Sequence, residues 1–343
     1  MQPSPYIRLI RRTALLLGLL LTVPAALAQG PVTLLIWDEF LSPKVVNALK
    51  NRHGIEVRQI TFTSAEERDE LLAKNAGKVD LVVADTTSLG IYRARGILER
   101  IDGQKIPNLK HVLTRWQSDG DHAVPYLWGQ TGIAWRTDLV KQPITTYAQL
   151  LALARRSPGK VSLLDDAHEA LMAIRYANGL LEPMRNAADV QAAEKLLKAN
   201  RANVQIVGSI LDETAPLATG KVIAAQAYNG DVAFLRDNLK VPLAFATPSP
   251  GCMIWQENFM LLKNAPNKAV AYEFLNQIND ATLAARNATE VRYATSNALA
   301  VSKLDPEFRD DPIIKPTFDG LEKCYFYPVF NGATQQALDA VEL

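Results

Sequence analysis

Cysteine and histidine are scarce in this sequence of 343 residues. It has two cysteines and four histidines, and the histidines (His53, His111, His122 and His168) show none of the spacings that metal ligands share. The sequence also contains no Gly-x-Ser-x-Gly elbow, no phosphate-binding loop and no dinucleotide fingerprint. We therefore expect no metal, no cofactor and no enzymatic activity, with a glycosidase-like pair of carboxylates as the catalytic alternative left open.

An excess of one charge is missing as well. There are 37 Lys and Arg residues against 36 Asp and Glu residues, so the formal net charge is +1. Beyond residue 28 there is no block of basic residues of the kind that meets nucleic-acid phosphates. The sequence thus predicts no nucleic-acid partner.

A long apolar segment is likewise absent. Three arginines precede an apolar stretch at residues 14–23, and residues 26–28 (Ala-Leu-Ala) form a small-x-small cleavage site. The alternative, a membrane anchor, is disfavoured because roughly ten apolar residues are too few for a helix that needs about 20 to cross a bilayer. We predict that residues 1–28 are a signal peptide and that the mature protein is periplasmic.

The two cysteines, Cys252 and Cys324, are compatible with either of two states. An oxidising compartment would permit a disulfide between them. Their distance in space does not follow from the sequence, so two separate, buried, uncharged thiols are the equal alternative.

Short apolar runs alternate with helical patterns along the mature chain. Strand-like runs occupy residues 32–36, 55–62, 79–84, 161–164, 204–207 and 222–227, whereas residues 64–67 form a capping-box pattern and residues 188–198 and 268–280 have helical periodicity. The mature chain is long enough for two domains of roughly 150 residues. The alternation predicts an α/β fold around largely parallel strands.

Acidic residues follow several of these strands, often beside an aromatic residue. They are Asp38 and Glu39 beside Trp37, Asp85, Asp166 and Glu169, Asp231 near Tyr228, and Glu257 near Trp255. Because ligands of open α/β sheets bind beyond the carboxyl ends of the strands, we expect these side chains to share one cleft. Carboxylates can hold the ammonium ends of a slender organic cation while aromatic rings cover its methylene groups.

Local structural roles are the alternative for several of these acids. Asp166, with Glu169 three residues later, could cap a helix, and Asp85 could cap the next helix in the first part of the chain. Asp231 could be a turn residue. Glu257 lies inside a strand-like run, where an unpaired charge is costly, so a cationic partner explains it better. We expect Trp116, Trp128 and Trp135 to be core residues.

Seven segments, in this order, carry a resemblance to a known family: Trp37-Asp38-Glu39-Phe40, Asp80-Leu81-Val82-Val83, and residues 124–129, 163–169, 228–231, 255–257 and 293–297. From residue 37 to about residue 326 the sequence resembles the spermidine/putrescine-binding proteins of bacterial polyamine ABC transporters. The resemblance implies a type II periplasmic binding fold, in which two α/β lobes with mixed sheets are joined by crossing hinge strands. The implied lobes are residues 29–135 with 257–301, and residues 136–256 with 302–343.

The resemblance also implies a ligand, a partner and a set of binding residues. The ligand would be a polyamine of the putrescine or spermidine type, the partner a membrane permease, and the protein a monomer. The implied binding residues are Trp37, Asp38, Phe40, Asp85, Asp166, Glu169, Tyr228, Asp231, Trp255, Glu257 and Tyr293. Asp85 stands where the family usually has a serine, and Thr87 where the spermidine binders have a tyrosine. These differences leave open another organic cation, such as an amino acid, an opine or a thiamine-like ring, and a sensor role instead of transport.

Overall fold

The computed structural model describes residues 30–116, 121–208, 211–249, 251–314, 321–322, 324–328, 330 and 332–343. The predicted signal peptide, residues 1–28, lies outside these residues. The strands are β1 Val32–Trp37, β2 Val57–Phe62, β3 Leu81–Asp85, β4 Val124–Arg136, β5 Val161–Leu164, β6 Val204–Val207, β7 Ala224–Tyr228, β8 Leu243–Ala246, β9 Met253–Leu261, β10 Ala294–Thr295 and β11 Tyr325–Phe326.

Helices connect most of these strands. The α-helices are α1 Pro43–His53, α2 Ala65–Lys74, α3 Thr86–Ala94, α4 Tyr147–Arg156, α5 Ala167–Ala177, α6 Ala187–Asn200, α7 Pro216–Thr219, α8 Asn229–Asn238, α9 Lys268–Ile278, α10 Ala281–Val291, α11 Ala298–Val301, α12 Pro306–Arg309 and α13 Gly332–Asp339. Short 3₁₀ helices occur at Gly103–Lys105, Pro107–His111, Thr114–Trp116 and Arg201–Asn203.

The strands form one mixed sheet in which two sets of parallel strands flank a central antiparallel pair. The strand order is β2-β1-β3-β9-β4-β7-β5-β6, while β8 and β10 pair with β4 and β11 pairs with β9. We call β1, β2 and β3 the first half-sheet and β5, β6 and β7 the second half-sheet. Within each half-sheet the strands are parallel, which agrees with the α/β prediction.

The central strands β4 and β9 run through both halves of the molecule. β9 pairs antiparallel with β3, where Asp85 lies opposite Glu257. β4 pairs antiparallel with β7, where Tyr228 lies opposite Thr131. The carboxyl ends of β3 and β7 therefore point toward each other across the middle of the central pair. The loops and helix starts of both halves converge there, as expected for a ligand cleft in α/β proteins.

Polar caps fix where the first helices begin. Pro43 occupies the first turn of α1, as its fixed φ angle favours. Ser64 caps α2, because its hydroxyl accepts the N–H of Glu67 at 3.1 Å. The Glu67 carboxylate accepts from the N–H and hydroxyl of Thr63 instead of from the N–H of Ser64. The predicted hydrogen bond from the Ser64 N–H to Glu67 is thus replaced by hydrogen bonds from Thr63, one residue earlier.

The helix predicted at residues 268–280 ends two residues earlier than predicted, and the sequence prediction did not include the helix α10 that follows it. α9 ends at Ile278, and the Asp280 carboxylate accepts the N–H groups of Thr282 and Leu283 at the start of α10. The sequence prediction also lacked the C-terminal helix α13. Among the described residues, no helix has both the length and the apolar character needed to cross a membrane.

Each half-sheet has its own apolar core, and a third cluster lies between elements of both halves. The first core includes Leu34, Leu81, Val83, Phe259 and Phe274. The second includes Trp135, Leu150, Val161, Ala170 and Ile174. The third joins Val232 of α8 to Ala284 and Ala288 of α10 and to Phe308. α10 therefore packs on residues of the second half, although it follows directly after the first-half helix α9.

Cys252 and Cys324 are joined by a disulfide, with their Cα atoms 4.5 Å apart. The bond ties the C-terminal segment to the start of β9, beside the parallel pairing of β11 with β9. Trp116 and Trp128 stack on each other at 4.9 Å in the same apolar cluster as Cys252. These two tryptophans are core residues, as the sequence predicts.

Candidate functional site

The strand register brings Asp85 and Glu257 together at the carboxyl end of β3, and we call them the first carboxylate pair. Asp85 caps α3, since its Oδ1 accepts the N–H of Ser88 at 2.7 Å. Glu257 is 6% exposed, and its Oε2 is buried without a hydrogen-bond partner among the described residues. Burial raises the pKa of Glu257 to about 8, and the neighbouring charge of Asp85 adds to the shift.

Arg68 lies near the first carboxylate pair, and sequence reasoning missed it. The side chain is buried, with Nε donating to the Tyr92 hydroxyl and Nη2 donating to the Ser88 hydroxyl, both at 2.9 Å. Its positive charge lowers the pKa of Glu257 and so opposes burial. The sequence did contain a sign that Arg68 is buried. Arg68 precedes Leu71 by three residues and therefore lies on the apolar face of α2.

Asp166 and Glu169, at the start of α5, form the second carboxylate pair. Asp166 caps the helix, since its Oδ1 accepts the N–H of Glu169 at 2.9 Å. Glu169 is fully buried and accepts hydrogen bonds from the Thr131 hydroxyl at 2.5 Å and from the Gln226 amide at 3.2 Å. Burial raises the pKa of Asp166 to about 6, with the charge of Asp85 adding to the shift. The neighbouring residues Tyr327 and Pro328 contact His168 and Thr87 respectively, so the two carboxylate pairs lie in one region.

The carboxyl of Glu169 differs from that of Asp166 in its degree of burial. Burial raises the pKa of Glu169 well above its usual value, the charge of Asp166 raises it further, and the hydrogen bonds from Thr131 and Gln226 oppose the shift. Among the described residues no ion pair joins either member of the second pair to a lysine or arginine. Neutral donors alone therefore support this pair.

Five aromatic residues, which we call the ring cluster, lie between the two pairs: Trp37, Phe40, Tyr228, Trp255 and Tyr293. The ring centroid of Trp255 is 4.8 Å from that of Tyr293, 6.1 Å from that of Tyr228 and 6.4 Å from that of Phe40. Trp37 joins the cluster through Phe40 at 6.3 Å. The indole nitrogens of Trp37 and Trp255 are buried without partners among the described residues.

The ring cluster is electrostatically linked to both carboxylate pairs. Burial raises the pKa of Tyr228 well above its usual value, and the charges of the second pair and of Asp231 raise it further. Burial likewise raises the pKa of Tyr293, and Asp231 and Glu257 add to that shift. The two tyrosines thus lie near acids from both ends of the cleft.

Two glycines permit the close packing of the rings. A Cβ added at Gly129 would lie 2.4 Å from Cζ2 of Trp255, and one added at Gly230 would lie 2.2 Å from Cε1 of Tyr293, both too close to be tolerated. The absence of a side chain at both positions therefore sets where these two rings lie.

Asp38 and Asp231 line an outer pocket of about 170 Å³. Phe40, Glu290 and Tyr293 also line this pocket, which lies between the start of α1 and the helices α8 and α10. Asp231 lies in the first turn of α8 and accepts a hydrogen bond from the Tyr293 hydroxyl, so it is not a turn residue. Asp38 is exposed, and so is Glu39. The outer pocket adds negative charge at the edge of the ring cluster.

The C-terminal segment contacts both halves, a feature that the sequence did not indicate. The Thr87 hydroxyl donates to the Pro328 carbonyl at 3.1 Å. On the other side, the ring of His168 meets Tyr327 at 4.8 Å and Phe330 at 5.2 Å. Burial lowers the pKa of His168 to about 4, so this imidazole is neutral at physiological pH. The Tyr327 hydroxyl and His168 Nε2 are buried without partners among the described residues.

The cleft has the chemistry of a cation site with an apolar middle. It offers carboxylates at two ends, rings between them, and buried polar atoms that lack partners, and such atoms are costly unless a ligand or water satisfies them. Within the described part of the chain, no group of His, Cys, Asp and Glu side chains is arranged to hold a metal ion.

Comparison with known proteins relates this chain to solute-binding proteins. A family model described as bacterial extracellular solute-binding protein matches residues 44–316. The putrescine/agmatine-binding protein of Pseudomonas aeruginosa is 28% identical over 330 residues, covering 88% of this chain and 89% of the relative. The norspermidine sensor of Vibrio cholerae is 28% identical over 281 residues, covering 80% of this chain and 77% of the relative.

Solved structures share the same architecture. A spermidine/putrescine ABC transporter protein from Listeria monocytogenes superposes with a TM-score of 0.80 at 24% identity, over 91% of this chain and 97% of that chain. At this level of identity the likeness shows the fold alone.

Proposed function

Because the chain belongs to the bacterial extracellular solute-binding protein family, we propose that it captures a polyamine of the putrescine or spermidine type between its two halves. The predicted type II periplasmic binding fold is confirmed by the structural likeness, and the protein is a binding protein and not an enzyme. The observation that carries the ligand proposal is the convergence of two carboxylate pairs on one ring cluster. Relatives named as putrescine/agmatine-binding and spermidine/putrescine-binding proteins support it.

The binding residues divide into three roles. The second carboxylate pair holds one terminal ammonium group, and Glu257 with Asp85 holds another. Trp37, Phe40, Tyr228, Trp255 and Tyr293 cover the alkyl chain and face the ammonium groups with their π-systems. Buried charges of one sign are stable only with matched partners, so a polycation and these carboxylates need each other. Asp38 and Asp231 attract the cation to the opening of the cleft.

The lobes are residues 29–135 with 257–301 and residues 136–256 with 302–343. The support is the sheet, in which β4 and β9 pass from one half-sheet to the other. Rotation about these strands opens the cleft, and closure buries the ligand. The third apolar cluster links α8 to α10. Such a rotation must either separate these two helices or move them together.

The protein works as the periplasmic, monomeric receptor of an ABC importer and presents the closed form to a membrane permease. The coarser statement, that it is an extracellular bacterial protein, follows from the family. A sensor role is the second candidate, because one relative is named a norspermidine sensor. Uptake of labelled putrescine by cells that lack this gene separates the two, since only a transport receptor is needed for uptake.

Isothermal titration of the mature protein with putrescine, agmatine, spermidine and spermine tests the proposal. At least one of these amines should bind and should stabilise the protein by about 2.7 kcal/mol at a concentration 100 times its Kd. 1,4-Butanediol, which keeps the four-carbon stem without charge, is the matched ligand control and should not bind. γ-Aminobutyrate, a zwitterion of similar length, probes the amino-acid alternative. Binding of the zwitterion without binding of any polyamine would refute the polyamine proposal.

A further inference from the structure

The first carboxylate pair contains more negative charge than strand pairing tolerates. Asp85 and Glu257 are directly opposite on adjacent antiparallel strands, where like charges destabilise the sheet. Glu257 is almost fully buried and leaves one carboxylate oxygen without a partner among the described residues. A proton on Glu257, which its raised pKa favours, or a nearby positive charge relieves this repulsion, and such a charge can come from the ligand or from the protein.

The protein supplies one such charge itself. Arg68 is 3% exposed, and its guanidinium is held by Tyr92 and Ser88 as described above. The Ser88 N–H in turn donates to Asp85, so the guanidinium is tied to the turn that Asp85 caps. Its Nη1 is buried and has no hydrogen-bond partner among the described residues. The guanidinium also lies 5.9 Å from the ring centroid of Phe62, at the end of β2.

The hydrogen bonds to neutral hydroxyls do not neutralise Arg68. Its ion pair with Asp69 involves a carboxylate that is 41% exposed and shared with Arg95 at 4.0 Å. Burial alone would lower the pKa of Arg68, but the neighbouring carboxylates of Asp85, Asp69 and Glu257 raise it. The guanidinium therefore remains a permanent cation whose field acts on the first carboxylate pair.

We propose that Arg68 is a fixed counter-charge of the first carboxylate pair, so that this end of the cleft accepts a single ammonium group and the protein selects diamines over triamines and tetraamines. The inference rests on the proposed function. Two carboxylates less one guanidinium leave one negative charge for the ligand at this end. At the second carboxylate pair Glu169 is fully buried among neutral donors, and burial and the charge of Asp166 raise its pKa well above its usual value. Glu169 therefore keeps its proton, and the single charge of Asp166 receives the other ammonium group.

A triamine would bring a further ammonium group, and the site has no further buried carboxylate to pair with it. The remaining acids of the site, Asp38 and Asp231, line the outer pocket, and Asp231 already accepts the Tyr293 hydroxyl. The secondary ammonium of spermidine would lie against the ring cluster, where its loss of hydration is compensated only by cation–π attraction. Putrescine, cadaverine and agmatine carry a charge at each end only and avoid this cost.

The test compares putrescine with spermidine on the wild type and on Arg68→Gln and Arg68→Lys. Gln retains hydrogen-bond donors without the charge, and Lys retains the charge. The wild type should bind putrescine about tenfold or more tightly than spermidine. Arg68→Gln should shift this ratio about tenfold toward spermidine, because an uncompensated carboxylate then awaits the additional ammonium. Arg68→Lys should restore most of the wild-type ratio.

The outcomes distinguish failure of this inference from failure of the proposed function. A wild type that binds spermidine as tightly as putrescine overturns the inference and leaves the proposed function intact. The same holds if Arg68→Gln weakens both amines equally, since Arg68 would then have only a structural role. If neither amine binds the wild type, the proposed function itself fails. Should Arg68→Gln not fold, the wild-type ratio and the Arg68→Lys ratio decide the question.

Discussion

The two ends of the cleft hold buried carboxylates by different means. At the second pair, Glu169 has no exposed surface and relies on a hydroxyl and an amide as hydrogen-bond donors. At the first pair, Glu257 lacks such donors for one oxygen but lies in the field of Arg68. Neutral donors satisfy a carboxyl without adding charge, whereas a guanidinium also cancels charge. Hydrogen bonds from neutral groups thus stabilise the carboxyl of Glu169 at the second end, whereas the positive charge of Arg68 stabilises that of Glu257 at the first end.

The difference has a consequence for how each end responds to a cation. Burial raises the pKa values of Asp166, Glu169 and Glu257, so protons should compete with a bound cation at both ends. Arg68 weakens that competition at the first end alone, because it lowers the pKa of Glu257. Substitutions in the ring cluster should therefore alter cation binding at both ends of the cleft. Substitutions in one carboxylate pair should alter cation binding at that end alone.

The largest effect is expected from Trp255→Ala, which removes the central ring between the two ends. Trp255 contacts Phe40, Tyr228 and Tyr293, so the two proposed ammonium sites lose the wall they share. We expect loss of more than about 3 kcal/mol of unfolding free energy and a fall in putrescine affinity beyond about 100-fold. Urea unfolding and isothermal titration measure the two quantities.

Trp135→Ala is the matched control for that variant. Trp135 is 7% exposed and Trp255 is 6% exposed, but Trp135 belongs to the second core, whereas Trp255 belongs to the first. It should lose similar stability and keep its affinity in the folded state. Equal loss of affinity in both variants would show that Trp255 acts through stability alone.

A smaller effect is expected from neutralising one carboxylate at either end. Glu257→Gln should weaken putrescine binding by about 2–3 kcal/mol, because one ammonium loses a buried charged partner. Asp166→Asn should weaken it by a similar amount through the other ammonium. Titration of a monoamine, n-butylamine, separates the ends, since each variant should remove only one of the two places where it can bind. Unchanged affinity in Glu257→Gln would exclude that residue from the site.

Affinity should depend on pH through the same carboxyls. Glu257 and Asp166 have pKa values of about 8 and about 6 in the ligand-free protein, and a bound cation favours their charged forms. Binding should therefore release protons, and the Kd for putrescine should rise as the pH falls from 8.5 to 6. Titration at pH 7.5 in two buffers with different ionisation enthalpies measures the released protons. Glu257→Gln should abolish the upper part of this dependence, and a Kd independent of pH would contradict the assignment.

The stability of the ligand-free protein should change with pH in the opposite sense. The folded pKa of Glu257 lies above the ordinary value of 4.5, so the folded state binds more protons than the unfolded state between about 4.5 and about 8. Unfolding free energy should consequently fall as the pH rises through this window. Urea unfolding at pH 5.5 and 8.5 should show this fall in the wild type and a smaller one in Glu257→Gln.

Much of the candidate site could be predicted from the sequence because its residues lie in local patterns. Asp85 and Asp166 follow strand-like runs and cap helices, and both features are visible within a few residues. Arg68 was missed because its burial depends on Tyr92 and Ser88 of a different helix, although its position on the apolar face of α2 was a signal.

Longer-range features left weaker signals or none. The contact of Thr87 with Pro328 joins residues 241 positions apart, and no local pattern encodes it. The sequence prediction ended a helix at residue 280 but did not include α10, whose first N–H groups Asp280 caps. Local sequence patterns thus predict helices, strands and caps, whereas tertiary contacts decide which charged side chains lie close together.

The smallest effect is expected from Asp38→Asn, at the outer edge of the cleft. Asp38 is exposed and lines the outer pocket, so water and salt screen its charge from a ligand between the two carboxylate pairs. The Kd for putrescine should change by less than about twofold, in line with the small energies of exposed charges. Stopped-flow measurements should show a slightly lower association rate that converges with the wild type at high salt. A tenfold loss of affinity would instead place Asp38 in contact with the ligand and extend the first end of the cleft outward to the pocket.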